Sequence, residues 1–72
     1  MELLEAVKRY LSEGNEEDYQ NSTVENVEVL DQYGEDEAYV KISFADEVST
    51  WKLYLEDGEV LDMSHVETII EY

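Results

Sequence analysis

The amino-acid sequence points to an α+β domain: a four-stranded antiparallel β-meander, flanked by an N-terminal helix and a short C-terminal helix packed on one face. Three observations carry that expectation. Apolar residues of the first segment recur at three- and four-residue intervals, those of the middle alternate with polar ones, and an Asp57-Gly58 pair separates two alternating runs. The 72 residues read as one compact acidic domain, near the size at which a single core is barely sufficient.

Met1–Glu13 sets Leu3, Leu4, Val7, Tyr10 and Leu11 on one helical stripe. Glu2 and Glu5 suit the positive end of the helix dipole, and Lys8 and Arg9 lie toward the negative end. Gly14 follows and can take the left-handed conformation that closes a helix. Asn15–Thr23 is a polar connection. Ser22 and Glu25 have capping-box spacing, leaving a short helix from Thr23 as an alternative to the strand expected over Val24–Tyr33. There Val27 and Val29 alternate with Glu28 and would face the core.

Ala38, Val40, Ile42 and Phe44 alternate with Tyr39, Lys41 and Ser43, and Trp51, Leu53 and Leu55 with Lys52 and Tyr54. These make two further strands, with Trp51 read as core and with turns at Gly34–Glu37 and Ala45–Glu47. Asp57-Gly58 suits a type I′ hairpin, which needs positive φ at both central residues. It would pair Leu55 with Val60 and Tyr54 with Leu61. A simple hairpin would then set Asp62 against Leu53, so the last strand is either short or breaks register. Ser64 and Glu67 repeat the capping-box spacing, opening an expected helix whose Val66, Ile69 and Ile70 pack inward.

Charge is the other dominant feature. Twenty acidic residues face four basic ones, for a formal net charge of -16. Solubility asks for a magnitude of only about 2–8 in a small domain, and a larger excess destabilises the compact state by self-repulsion. The candidate interaction residues are therefore the acidic clusters. Glu13, Glu16, Glu17 and Asp18 follow the first helix, and Glu28 and Asp31 line the first strand. Glu35, Asp36 and Glu37 occupy the first strand turn, Asp46 and Glu47 the second, and Glu56, Asp57 and Glu59 the third. In a meander the first and third turns share one end of the sheet. Tyr39 and Tyr54, opposite the expected core face, supply contact area, and Tyr19 and Tyr33 lie in acidic segments. Lys41 and Lys52 are the expected local counter-ions, on a face that also suits a homodimer; monomer and dimer both fit.

This balance disfavours direct nucleic-acid binding and anionic membranes. With neither cysteine nor proline and a single histidine, His65, no nucleophile–base arrangement or cofactor fingerprint emerges. The expectation is a non-enzymatic chain without a cofactor. At most, Glu13–Asp18 or Glu56–Glu59 would bind calcium or magnesium weakly, since neither has an EF-hand pattern.

A globule of this length has a radius of gyration of about 11 Å. Duplex DNA carries on the order of 15–17 phosphate charges over the corresponding span. In charge and size alone the chain resembles acidic DNA-mimic inhibitors, including virally encoded anti-restriction and anti-CRISPR proteins, with no shared motif. That resemblance implies a basic nucleic-acid-binding protein or enzyme as partner, a target in host defence, and a cytoplasmic location, that of the host cell if the chain is viral. An acidic protein-interaction adaptor and a salt-adapted small domain are the alternatives.

Overall fold

The computed structural model of the chain describes residues 3–19 and 22–71. Glu2, expected to favour the helix start, and Gln20, in the polar connection, lie outside the described residues. Helix α1 spans Leu3–Ser12, and a single 3₁₀ turn covers Glu17–Tyr19. Four strands follow: β1 at Val24–Tyr33, β2 at Glu37–Phe44, β3 at Glu47–Glu56 and β4 at Glu59–Glu71. They form one antiparallel sheet in the order β1-β2-β3-β4, packed against α1. The radius of gyration is 11.1 Å.

The core face and the C-terminal end of α1 follow from its sequence. The stripe expected of it supplies Val7, Tyr10 and Leu11 to the core. Gly14, at φ 90°, ends it, and the Asn15 side-chain amide donates to the Tyr10 carbonyl at 2.9 Å. The face of the sheet beneath α1 contributes Val24, Val40, Ile42, Phe44, Trp51, Leu53 and Met63. Trp51 is fully buried, and its indole N–H donates to the Ser49 hydroxyl at 2.7 Å, so a buried polar pair is satisfied.

The first strand is a strand from Val24, not a short helix from Thr23. Its expected core pair divides, however. Val27 is partly buried against the core, but Val29 is 43% exposed although it opposes the buried Val40. β1 is an edge strand, and the ten residues of α1 give only about 15 Å of helix to cover the sheet. Glu47 opens β3 rather than ending the preceding turn.

The C-terminal segment corrects the sequence expectation most sharply: Ser64–Glu71 is not a helix but the greater part of β4. Thirteen residues of β4 run beside the ten of β3, and the pairing skips Leu61, Val66 and Ile69. Each skipped residue is a β-bulge that resets the alternation of faces. Val66, Ile69 and Ile70 thus fall three and four apart in sequence, imitating a helical stripe, while the backbone stays extended. They are about half exposed, not packed inward. Ser64 and Glu67 oppose Lys52 and Thr50 and cap nothing.

The hairpin explains the first of these bulges. Asp57 and Gly58 have φ of 51° and 80°, as a type I′ turn requires, and Leu55 opposes Val60. Tyr54 then opposes Asp62 rather than Leu61, and Met63, not Asp62, faces Leu53. The register break keeps a carboxylate off the core and buries Met63 in its place.

Candidate acidic interface and open sheet face

The strand register sorts the candidate residues into three groups. The first is at the end of the sheet bearing the β1–β2 and β3–β4 turns. The Leu55 N–H donates to the Asp36 carbonyl at 2.8 Å, tying the first acidic turn to the last residues of β3. Glu35, Asp36 and Glu37 therefore stand beside Glu56, Asp57 and Glu59. Glu56 and Glu59 are directly opposed across the hairpin, a like-charge pairing that costs stability. Arg9 reaches over from α1 to Glu59 at 3.3 Å, with Glu13 lining the same shallow cleft. Both partners of that ion pair are largely exposed, so it contributes little.

Asp62 belongs beside this group, although sequence reasoning missed it. It accepts a hydrogen bond from the hydroxyl of Tyr10 on α1 at 3.1 Å. Burial raises the Tyr10 pKa, and the bond to Asp62, its charge and the charge of Glu16 raise it further. The Leu61 bulge sets Asp62 opposite Tyr54 instead of Leu53, leaving its carboxylate exposed and within reach of the Tyr10 hydroxyl; the register break is one of the two outcomes that the conflict between Asp62 and Leu53 in the sequence allowed.

The second group lies at the opposite end, around Tyr19. Its ring packs 5.0 Å from both Phe44 and Trp51, and its hydroxyl donates to Glu47 at 2.7 Å. Burial first, then the bond to Glu47 and the charges of Glu47, Asp18 and Asp46, push the Tyr19 pKa well above the ordinary tyrosine range. Glu71, also missed, opposes Glu47 directly. The acidic run Glu13–Asp18 is consequently divided. Glu13 faces the first group and Asp18 joins the second, because Glu16, at φ 58°, and the 3₁₀ turn after it redirect the chain. Glu17 is exposed in that turn.

The third group occupies the face of the sheet turned away from α1. The register aligns Tyr33, Glu37 and Tyr54 across β1, β2 and β3. The next row holds Asp31, Tyr39, Lys52 and Ser64, and the one after it Glu28, Lys41, Thr50 and Glu67. Lys41 pairs with Glu28 at 3.7 Å, and Lys52 with Glu37 at 3.8 Å. The Lys52 ammonium also lies 5.6 Å from the Tyr54 ring centroid and 5.9 Å from that of Tyr33. A hydrogen bond with Asp31 and the charge of that carboxylate raise the pKa of the exposed Tyr33 hydroxyl.

Glu37 joins this face to the first acidic end, giving a continuous stretch of carboxylates and tyrosine rings. Among the described residues, no group of three or more His, Asp or Glu side chains is arranged to hold a metal ion. His65 is on β4, its ring edge-on to Trp51 at 5.1 Å and its Nε2 3.1 Å from the Thr68 hydroxyl. No described helix is long and apolar enough to cross a membrane. The chain matches no family model, no curated protein and no solved structure.

Proposed function

We propose that this chain is an anionic inhibitor that occupies the basic nucleic-acid-binding site of another protein, as a DNA mimic would. The observation that supports this reading most is the joining of two acidic turns at one end of a hydrogen-bonded sheet. Backbone pairing, including the Asp36–Leu55 bond, holds Glu35, Asp36, Glu56 and Asp57 in fixed relation. Fixed charges lose little conformational freedom when they meet a complementary surface, and they steer its approach.

Dimensions support the same reading. The longest axis is 33 Å, and duplex DNA presents about 19 phosphate charges over that length. The formal charge of -16 is of the same order. A phage-encoded antagonist of host defence, of the anti-CRISPR or anti-restriction kind, fits this chemistry.

The test begins with capture of partners on the immobilised chain from a nuclease-treated lysate. The recovered protein is then assayed for nucleic-acid binding with and without the chain. Competition that weakens steeply as salt rises is the expected result. Changing Glu35, Glu37, Glu56 and Glu59 to lysine should reduce the inhibition at least tenfold, with folding verified by circular dichroism. A recovered partner without a nucleic-acid site would make the chain an acidic adaptor. Loss of folding at low ionic strength, with no partner recovered, would instead identify a salt-adapted domain.

A further inference from the structure

The geometry points to the open sheet face, centred on Tyr33, Tyr39 and Tyr54, as a docking site for arginine side chains of a basic protein partner. In the free chain Lys52 holds the place those side chains would take. This inference rests on the anionic-surface reading above and names the chemistry by which that surface recognises its partner.

The resident lysine identifies the ligand class. Its ammonium lies within 6 Å of two tyrosine ring centroids and 3.8 Å from Glu37, which is the environment of a cation site. Tyr39 opposes Lys52 on the neighbouring strand, adding a third tyrosine to this face. Asp31, paired across the sheet with Tyr39, adds a second carboxylate beside the rings. Tyr33 is 50% exposed, so one wall of the site is open to an incoming group.

Arginine suits such a place better than lysine. Its planar guanidinium stacks on an aromatic ring while its fork engages a carboxylate, and it sheds water more readily than an ammonium. Lys52 is long and flexible, and both partners of its ion pair with Glu37 are more than a third exposed (39% and 35%), so the side chain can swing aside at little cost. An arriving guanidinium would take over both the rings and Glu37. The surrounding net charge of -16 favours a cationic partner and opposes a second copy of this chain.

The probes are a short arginine-rich peptide and an all-lysine peptide of equal length and charge, titrated calorimetrically. The wild-type chain should bind the arginine peptide more tightly and show ring-proton shifts at Tyr33 and Tyr54. Lys52→Met vacates the site and should tighten arginine binding about threefold more than Lys8→Met, which removes the same charge from α1. Tyr33→Leu with Tyr54→Leu should erase the preference for arginine. Equal gains from the two lysine variants, or shifts confined to the acidic turns, would overturn the site. The ring shifts of the wild-type chain decide the matter even if the double leucine variant does not fold. Failure of nucleic-acid competition would reject the inhibitor reading and leave these peptide results standing; the converse outcome is equally distinct.

Discussion

Tyr19 shows how one side chain serves both the core and the acidic surface. Its ring closes over Phe44 and Trp51, while its hydroxyl is held by Glu47 in the field of Asp18 and Asp46. Ionising that hydroxyl would bury a negative charge among carboxylates, so the folded state keeps its proton more tightly than the unfolded chain does. With the folded pKa raised, the resulting stability is intact below the ordinary tyrosine value of about 10 and is lost as pH rises beyond it. Urea midpoints measured from neutral pH upward should therefore fall above about pH 10 in the wild-type chain. Tyr19→Phe should show a smaller fall, displaced by a roughly constant offset for the lost hydrogen bond to Glu47. An undiminished fall in that variant would place the alkaline sensitivity elsewhere, first at Tyr10, whose pKa is raised by burial and Asp62.

The last strand separates the chemistry of a segment from its apparent periodicity. As a helix packed on the sheet, Ser64–Glu71 would bury Val66 and Ile69, and truncating them would be costly. As the bulged edge strand observed, it leaves both about half exposed and buries Met63. Val66→Ala and Ile69→Ala should then change stability by no more than about 0.5 kcal/mol each, while Met63→Ala should cost about 2–4 kcal/mol. Denaturant unfolding of the three variants distinguishes the two arrangements. α1, β2 and the Trp51–Leu55 part of β3 were legible in the sequence because their apolar residues keep one period and their ends carry glycine or polar turns, whereas Val48, three residues before Trp51, breaks the alternation at the start of β3. β4 was not, because three bulges break a period of two into spacings of three and four. The β-branched run around Val66, Thr68, Ile69 and Ile70 was the available signal. The candidate site divides in the same way. Glu35–Glu37 and Glu56–Glu59 were correctly grouped, since meander topology alone sets them at one end. The separation of Glu13 from Asp18 and the pairing of Glu71 with Glu47 depend on a left-handed residue and on bulges that no spacing announces, whereas the register break at Asp62 was legible in its conflict with Leu53.

Taken together, the charges ask why the fold tolerates so many carboxylates with so few partners. Ion pairs reach only Glu28, Glu37 and Glu59 among the described residues, and all are exposed or nearly so. Glu56 opposes Glu59, and Glu47 opposes Glu71, where a mixed surface would have set a lysine against each glutamate. Such pairings destabilise the isolated chain, so neutralising the acidic end should stabilise it. Changing Glu35 and Glu56 to glutamine and Asp36 and Asp57 to asparagine preserves the turn, since Asn-Gly also favours type I′. These four changes should raise stability by about 1 kcal/mol at low salt, a Tm increase of roughly 4–8 °C for a domain of this size. The gain should shrink toward zero in molar salt, where the screening length falls to about 3 Å. Thermal melts across a salt series measure it directly. The same variant should lose affinity for a basic partner, and that opposition is what a surface retained for binding would produce. A variant that is no more stable at low salt would show that the clustered carboxylates impose no cost on the fold, and that their pairing needs no partner to account for it.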